Sequence, residues 1–522
     1  MRVLLMSTPY PLEENPIPPL SLSYLAAVLQ KEDIEVEILD LLVAKNSPSK
    51  IREKLEEYQP QVVGATCVTL NYPTAARDLK VCKDFDPRII TVLGGPHASF
   101  ALKETLLRAP WIDVLVIGEG ERTLVDLVRA LERGAGFGQV PGIAFREDGR
   151  VVKTEPQPLI GSLDEFPLPA RHLLPLSKYR AIDAPCTVIT SRGCPYKCIF
   201  CSGPSLFGRR VRFRDPKLVV DEIEYILKDL GFKKINIVDD TFTLNHRHAR
   251  EVCEEILRRG LKFQWNVFAR ADTVNEDILK IMREAGCAWL LFGVESASPE
   301  ILKTIKKGTT TDVVRKGVKL TTEAGIKVFN SFIIGLPGES PETAQQSLAF
   351  AQELDRDYGA KYGFHLLSPL PGTELYERPR DYGLRILSRN WAKYDANRPI
   401  TETAAMKPEM ALEFIAAYDR AVAYALDDIK RRAEAGDPGC KEEVRQRASV
   451  NFVWKLLKGD VIEGLGRIKA SDAHHPVEQL AQKVAQRLAV PLDAAQQEME
   501  RLVEQGLLKS EFVNGGFVWK WS

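Results

Sequence analysis

Three cysteines, Cys194, Cys198 and Cys201, stand in the run Ser191-Arg-Gly-Cys-Pro-Tyr-Lys-Cys-Ile-Phe-Cys201, with three and then two residues between them, directly after a predicted strand. Thiolates so placed in one loop can hold three irons of a cubane iron–sulfur cluster and leave the fourth iron without a protein ligand. A vacant coordination position marks a catalytic metal rather than a structural one, because a small molecule can occupy it. A zinc knuckle is the competing reading. Zinc would want a fourth Cys or His nearby, and none follows before His246.

The C-x-x-x-C-x-x-C loop, followed by strand and helix alternations, resembles the radical S-adenosylmethionine superfamily. In that family the methionine amine and carboxylate chelate the open iron, and the reduced cluster cleaves the sulfonium to give methionine and a 5′-deoxyadenosyl radical. The resemblance implies S-adenosylmethionine contacts from Phe200 in the loop and from the ends of later strands. These are Asp239 and Asp240 in VDDTFTL, Arg270 in FARAD, Glu295 and Ser296 in FGVESAS, and Gly335, Leu336 and Pro337 in IIGLPGES. The residue types suit the ligand. Its carboxylate needs a cation, and its ammonium and hydroxyls need acceptors, which Arg270, Asp240 and Glu295 can supply. Glycine after the fifth strand lets backbone approach a flat base. One departure is that Asp239-Asp240 replaces the Gly-Gly-Glu often seen after the second strand.

Those residues must be carried on strand ends, and the chain supplies the strands. Residues 1–140 alternate β-rich runs, Val3–Met6, Val36–Leu39, Val62–Thr66, Ile89–Leu93 and Val114–Ile117, with helical patterns. Five parallel strands with helices between them predict a flavodoxin-like, Rossmann-type α/β domain whose ligands sit beyond the carboxyl ends of the strands. Residues 141–184 are proline-rich and read as a linker. Residues 185–385 hold six further strands, near Thr187–Thr190, Ile235–Val238, Phe263–Phe268, Trp289–Gly293, Val328–Ile334 and Gly363–Leu367. They predict a (βα)6 partial TIM barrel with its chemistry at the same strand ends. A helical extension (386–440) and a winged-helix-like region (441–522) follow. In the latter Val477, Leu480, Ala481, Val484 and Leu488 share one helix face, Met499, Leu502 and Val503 share another, and FVNGGFVWKW carries a turn signal.

The first domain carries a second resemblance, to the cobalamin-binding domain that precedes the barrel in one branch of the superfamily. It rests on PYPLEENPIPPLSLSYLAAVL, on VLGGPHAS (92–99) and on VIGEGERTL (116–124). It implies cobalamin contacts from Gly94, Gly95, His97, Gly118, Glu119 and Gly120, whose glycines admit a bulky ring. Other cobalamin proteins place an Asp-x-His-x-x-Gly histidine on cobalt after the first strand, where this chain reads Ser7-Thr-Pro-Tyr-Pro-Leu-Glu-Glu. The radical branch leaves the lower face of cobalt to the loop after the third strand, here Thr69, Leu70, Asn71 and Tyr72.

The composition narrows the partners. Lys plus Arg equals Asp plus Glu at 71 each in 522 residues, so no global field favours nucleic acid or an anionic membrane. The second helix of the last region, LDAAQQEMERLVEQ, has one arginine against four acids, which disfavours a DNA-reading regulator. The first apolar run is too short for a span or signal core, and the expected location is cytoplasmic. Six further cysteines, Cys67, Cys82, Cys186, Cys253, Cys287 and Cys440, read as ordinary thiols. The expected function is methyl transfer to an unactivated carbon by way of methylcobalamin and a 5′-deoxyadenosyl radical. The alternatives are a radical cyclase or rearrangement enzyme of the same layout, and a cobalamin- or redox-sensing DNA-binding regulator. The expected cofactors are a [4Fe–4S] cluster, S-adenosylmethionine and cobalamin. The expected partners are a small-molecule, peptide or protein substrate and an electron donor such as ferredoxin or flavodoxin.

Overall fold

The computed structural model describes residues 1–10, 16–470 and 475–522. Residues 11–15 of the first loop, and with them part of the PYPLEEN motif, lie outside the described residues. Strands β1 (Arg2–Ser7), β2 (Glu35–Asp40), β3 (Val62–Thr66), β4 (Ile90–Gly94) and β5 (Val114–Val116) pair in parallel in the order β2-β1-β3-β4-β5. Alternate residues of each strand enter different cores. Leu4, Met6, Val63 and Leu93 pack on one face, while Val3, Leu5, Val62 and Val92 pack on the other. Burial on both faces is why these strands read as unbroken apolar runs.

The sheet has seven strands where five were expected. β6 (Ile143–Glu147) and β7 (Arg150–Lys153) extend it antiparallel from β5. Their connection is Asp148-Gly149, with φ of 48° and 74°, the two-residue turn with positive φ at both positions that hairpins favour. The prolines downstream masked this signal, and the linker expected from residue 141 overlaps this hairpin, which ends at Lys153. Its later part is also tied down, since Arg171 is buried and donates to Glu222 at 2.6 Å and to the Thr187 carbonyl at 2.7 Å.

The second unit opens with β8 (Cys186–Val188), then a short antiparallel ribbon of β9 (Ser191–Arg192) and β10 (Arg212–Phe213). β11 (Lys234–Ile237), β12 (Gln264–Ala269), β13 (Cys287–Glu295), β14 (Lys327–Ile334) and β15 (Lys361–Leu366) complete a six-stranded parallel sheet with β8, each strand beside the next in sequence. That order is the expected partial barrel. Asp215, Asn245, Asn275, Thr310 and Ser340 each accept a backbone N–H at the start of the following helix, which fixes where each strand-end loop stops.

The expected helical extension instead begins with a hairpin, β16 (Arg385–Ile386) and β17 (Thr401–Glu402), whose loop buries Trp391 and Tyr394 against the first domain. The helix proper runs Pro408–Glu434, with proline in its first turn. The next helix, Pro438–Lys458, crosses the expected boundary at 440. Helices Pro476–Leu488 and Leu492–Glu504 and strands β18 (Arg467–Lys469), β19 (Leu508–Val513) and β20 (Gly516–Trp521) complete the helix, helix and wing arrangement. Arg501, the only arginine of helix Leu492–Glu504, pairs with Glu498 and donates to the Ala181 carbonyl, so this helix packs on the segment that leads into the barrel. No helix among the described residues is long and apolar enough to cross a membrane.

Candidate active site at the domain seam

The three cysteines lie in the loop between β9 and β10, with Cys194 buried, Cys198 half-buried and Cys201 exposed. The loop is pinned by its backbone. Cys194 N donates to Gly208 O at 3.3 Å, Ile199 N to Ile305 O at 3.2 Å, and Leu375 N to Ile199 O at 3.0 Å. Gly193 has φ of 106°, and a side chain there would come within 2.8 Å of the Arg210 carbonyl, so the loop closes only with glycine. Burial pushes the Cys194 and Cys198 thiols up, so ionisation must accompany metal binding. Among the described residues no three His, Cys, Asp or Glu side chains converge as closely as one ion needs. A cubane makes no such demand, because each cysteine takes a different iron.

Asp239 and Asp240, expected together at the ligand, face different ways. Asp239 is buried and accepts from Thr190 N (2.7 Å), Thr190 Oγ1 (2.5 Å), Ser191 N (3.1 Å) and Ser191 Oγ (2.7 Å). It ties down the turn leading to the cluster loop and has no capacity left for a ligand. Asp240 is exposed in the mouth and accepts from the Gly193 N–H. Ser296 also departs from expectation. It is fully buried, and its hydroxyl accepts the Ser298 N–H at 3.1 Å and contacts Ser347.

Arg270 is held by Asp272 at 2.7 and 2.8 Å and donates to the Lys307 carbonyl, and its guanidinium lies 3.7 Å from the centroid of the Tyr196 ring. Tyr196 belongs to the cysteine loop, so one cation braces two strand ends. Glu295, at φ of 70°, pairs with Lys307 at 2.7 Å. Sequence reasoning missed Tyr196 and Lys307. Tyr196 lay inside the motif itself, whereas Lys307 follows a helix twelve residues beyond Glu295 and gave no local signal. Phe200 packs with Ile199, Leu336 and Leu375 into a small apolar cluster below the loop, and Pro337 is buried beside it.

Glu339 holds the turn at Gly335, whose φ is 93°. One carboxylate oxygen accepts the Gly335 and Leu336 N–H groups, and the other is buried with no partner. Burial, opposed by those two N–H bonds, pushes the carboxyl from 4.5 up to about 8. The native state therefore keeps a proton that the unfolded chain loses. The stabilisation from this one group is fully present below about pH 4.5 and is lost as pH rises through about 8. Glu339→Gln keeps the acceptor and removes the titration. Apparent melting temperatures of wild type and variant should diverge between about pH 5 and pH 8, with the wild type losing more. Parallel curves would refute the buried, protonated carboxyl.

Facing this mouth, a cavity of about 720 Å³ lies beyond the carboxyl ends of β1, β3, β4 and β5. Gly94, Gly95, Gly118 and Gly120 line it, and a side chain at Gly95 (φ 93°) would come within 2.5 Å of the Cys67 carbonyl. The cavity also reaches down beside the sheet to Leu5, Leu22, Gly64, Val92 and Leu124, an apolar slot. Arg192, Phe207 and Asp240 close it from the barrel side, and Trp454 and Lys458 from the last domain. Of the loop expected under cobalt, only Asn71 lines the cavity. It accepts from Val68 N at 2.9 Å and donates to Thr8 O at 3.0 Å. Tyr72 turns away and stacks on His97 with centroids 4.2 Å apart, while Thr69 and Thr105 hydrogen-bond the two nitrogens of His97. His97 is thus sealed among Tyr72 and Trp391 and contributes nothing to the cavity wall, and burial holds its pKa down to about 3. Glu119, expected at cobalamin, lines the cavity, and its carboxylate is also paired with Arg192 and Arg212.

Both units of the chain have counterparts among known proteins. Residues 14–128 match the B12 binding domain, and residues 188–351 match the radical SAM superfamily. An uncharacterised methyltransferase of Pyrococcus horikoshii is 38% identical over 384 residues, which span 73% of this chain and 83% of that protein. The chain belongs to the cobalamin-binding radical S-adenosylmethionine enzymes. As a member of that family it uses a [4Fe–4S] cluster, S-adenosylmethionine and cobalamin, and it requires a reductant and a substrate. The anaerobic magnesium-protoporphyrin IX monomethyl ester cyclase of Rubrivivax gelatinosus is 33% identical, over 84% of this chain and 79% of that protein. A solved cobalamin-dependent S-adenosylmethionine radical enzyme with aqua-cobalamin and S-adenosylmethionine bound shares the fold, with a TM-score of 0.70 at 20% identity over 97% of this chain and 79% of that one.

Proposed function

We propose that this radical S-adenosylmethionine enzyme transfers a methyl group to an unactivated carbon of its substrate. The observation that carries the reading is the shared wall, where the glycine loops of the first domain and Arg192, Phe207 and Asp240 of the barrel enclose one cavity. The cluster supplies the electron that cleaves S-adenosylmethionine, and cobalamin supplies a methyl carrier. Cys194, Cys198 and Cys201 hold the cluster in this reading. Asp240, Arg270, Glu295, Phe200, Gly335, Leu336 and Pro337 surround S-adenosylmethionine, and Asn71, Gly94, Gly95, Gly118 and Gly120 surround cobalamin. Asp272 and Tyr196 keep the Arg270 guanidinium oriented, and Lys307 does the same for Glu295. The buried Ile199, Leu336 and Leu375 keep water from beneath the cysteine loop. The proposed electron donor is a ferredoxin or flavodoxin. The proposed compartment is the cytoplasm, whose reducing poise suits a chain with six thiols beside the three cluster cysteines.

The cyclase relative supports a second reading, ring formation, and products separate the two. Anaerobic, reconstituted enzyme supplied with S-adenosylmethionine and a reductant should form S-adenosylhomocysteine only when corrinoid is bound, beside 5′-deoxyadenosine. Formation of 5′-deoxyadenosine and methionine alone would favour the cyclase. Arg270→Ala should weaken S-adenosylmethionine binding by about tenfold or more, since a charge-assisted contact carries roughly 1.5–3 kcal/mol. Unchanged binding would remove Arg270 from the site.

A further inference from the structure

The ribbon of β9 and β10 places Arg192 directly opposite Arg212. Two cations facing each other across a ribbon repel, and both are nearly enclosed, with side-chain exposures of 10% and 8%. Such a pair is tolerated only with compensating carboxylates. They come from the other domain. Glu119 accepts from Arg212 at 2.8 Å through both oxygens and from Arg192 at 3.1 Å, and Glu121 accepts from Arg192 at 2.6 Å. The guanidiniums of Arg212 and Arg192 outweigh the effect of burial and hold the Glu119 carboxyl below its ordinary value. Two acids and two bases make a closed, neutral cluster.

Its position in the chain matters more than its charge. Glu119 lies between Gly118 and Gly120 of the cavity wall. Arg192 lies two residues before Cys194, and the intervening Gly193 is wedged against the Arg210 carbonyl. One ion pair, Glu119 to Arg192, and the single residue Gly193 therefore separate the cofactor loop from a cluster ligand. We propose that Glu119, Glu121, Arg192 and Arg212 are positioning residues that register the cofactor loop against the cluster loop, so that corrinoid binding and the cluster site are coupled. The proposal rests on the reading that this cavity takes cobalamin. A coupling of this kind is reciprocal, so it can be measured from the corrinoid side.

The test uses full-length protein with and without reconstituted cluster, hydroxocobalamin as the probe, and the resonance spectrum of the reduced cluster as a second readout. Wild type should bind hydroxocobalamin at least about fivefold more tightly with the cluster than without it, and corrinoid should shift the cluster spectrum. Arg192→Lys keeps the charge but loses the fork that grips two carboxylates, and it should bring the affinity ratio close to one and abolish the spectral shift while cluster iron stays unchanged. Should that variant fail to fold, Glu121→Ala, which removes one contact, should lower the ratio in the same sense. A ratio near one in wild type, or an undiminished ratio in the variants, overturns the coupling but leaves the cavity reading intact. Absence of corrinoid binding in every form would overturn both.

Discussion

Replacing Cys194, Cys198 and Cys201 together by alanine is expected to give a folded protein without an iron–sulfur cluster and without any cleavage of S-adenosylmethionine. The fold should survive because the loop is fixed by main-chain bonds to Gly208, Ile305 and Leu375 rather than by its thiols. Stability should change by no more than about 1 kcal/mol, since no buried apolar contact of size is removed. The cluster should not survive, because the other six cysteines are buried. Burial pushes the Cys82 thiol to about 12 and raises those of Cys67, Cys186, Cys253 and Cys287. None is a ready thiolate. Iron and sulfide analysis, with circular dichroism as the control for folding, decides the matter. A full complement of iron in the triple variant would sink the ligand assignment.

Corrinoid bound to the wild-type protein should show no nitrogen splitting in the cobalt(II) paramagnetic resonance spectrum. The described residues put no imidazole on the cavity wall, and the apolar slot by Leu22, Gly64 and Leu124 offers the corrinoid's own base a place away from the metal. Among histidine substitutions at Leu70, Asn71 and Tyr72, Asn71→His is the one expected to introduce splitting, because Asn71 lines the cavity, Leu70 does not, and Tyr72 stacks on His97 behind it. That substitution also removes the bonds to Val68 and Thr8, at a cost of about 1–3 kcal/mol. Val68→His, on the same wall, spares those bonds and provides an independent test. Nitrogen splitting in wild type, or in Tyr72→His alone, would contradict this geometry.

Much of this was legible because strand ends announce themselves. The β-rich runs, the cysteine spacing and the glycine pairs survive any change in packing, and the cavity is where a doubly wound sheet requires it. What sequence could not give was the direction in which a polar residue turns at a strand end. Asp239 and Asp240 are adjacent and equivalent on paper, yet one is consumed by Thr190 and Ser191 and the other faces the mouth. Glu119 and His97 stand in motifs beside the cofactor loops, but their partners, Arg212 and Trp391, lie far away in the chain and left no local trace. The Asp148-Gly149 hairpin is different: its signal was present in the sequence and was overshadowed by neighbouring prolines.

The cavity is walled by residues that the ribosome makes at widely separated times. Its floor and cysteine-loop side are complete by Asp240, but Trp454 and Lys458 close it from the helix Pro438–Lys458. Without that helix the enclosure lacks one of its walls. A corrinoid seated there would touch segments more than four hundred residues apart in the sequence, so binding it should tie the helix Pro438–Lys458 to the first domain and slow proteolysis of that helix.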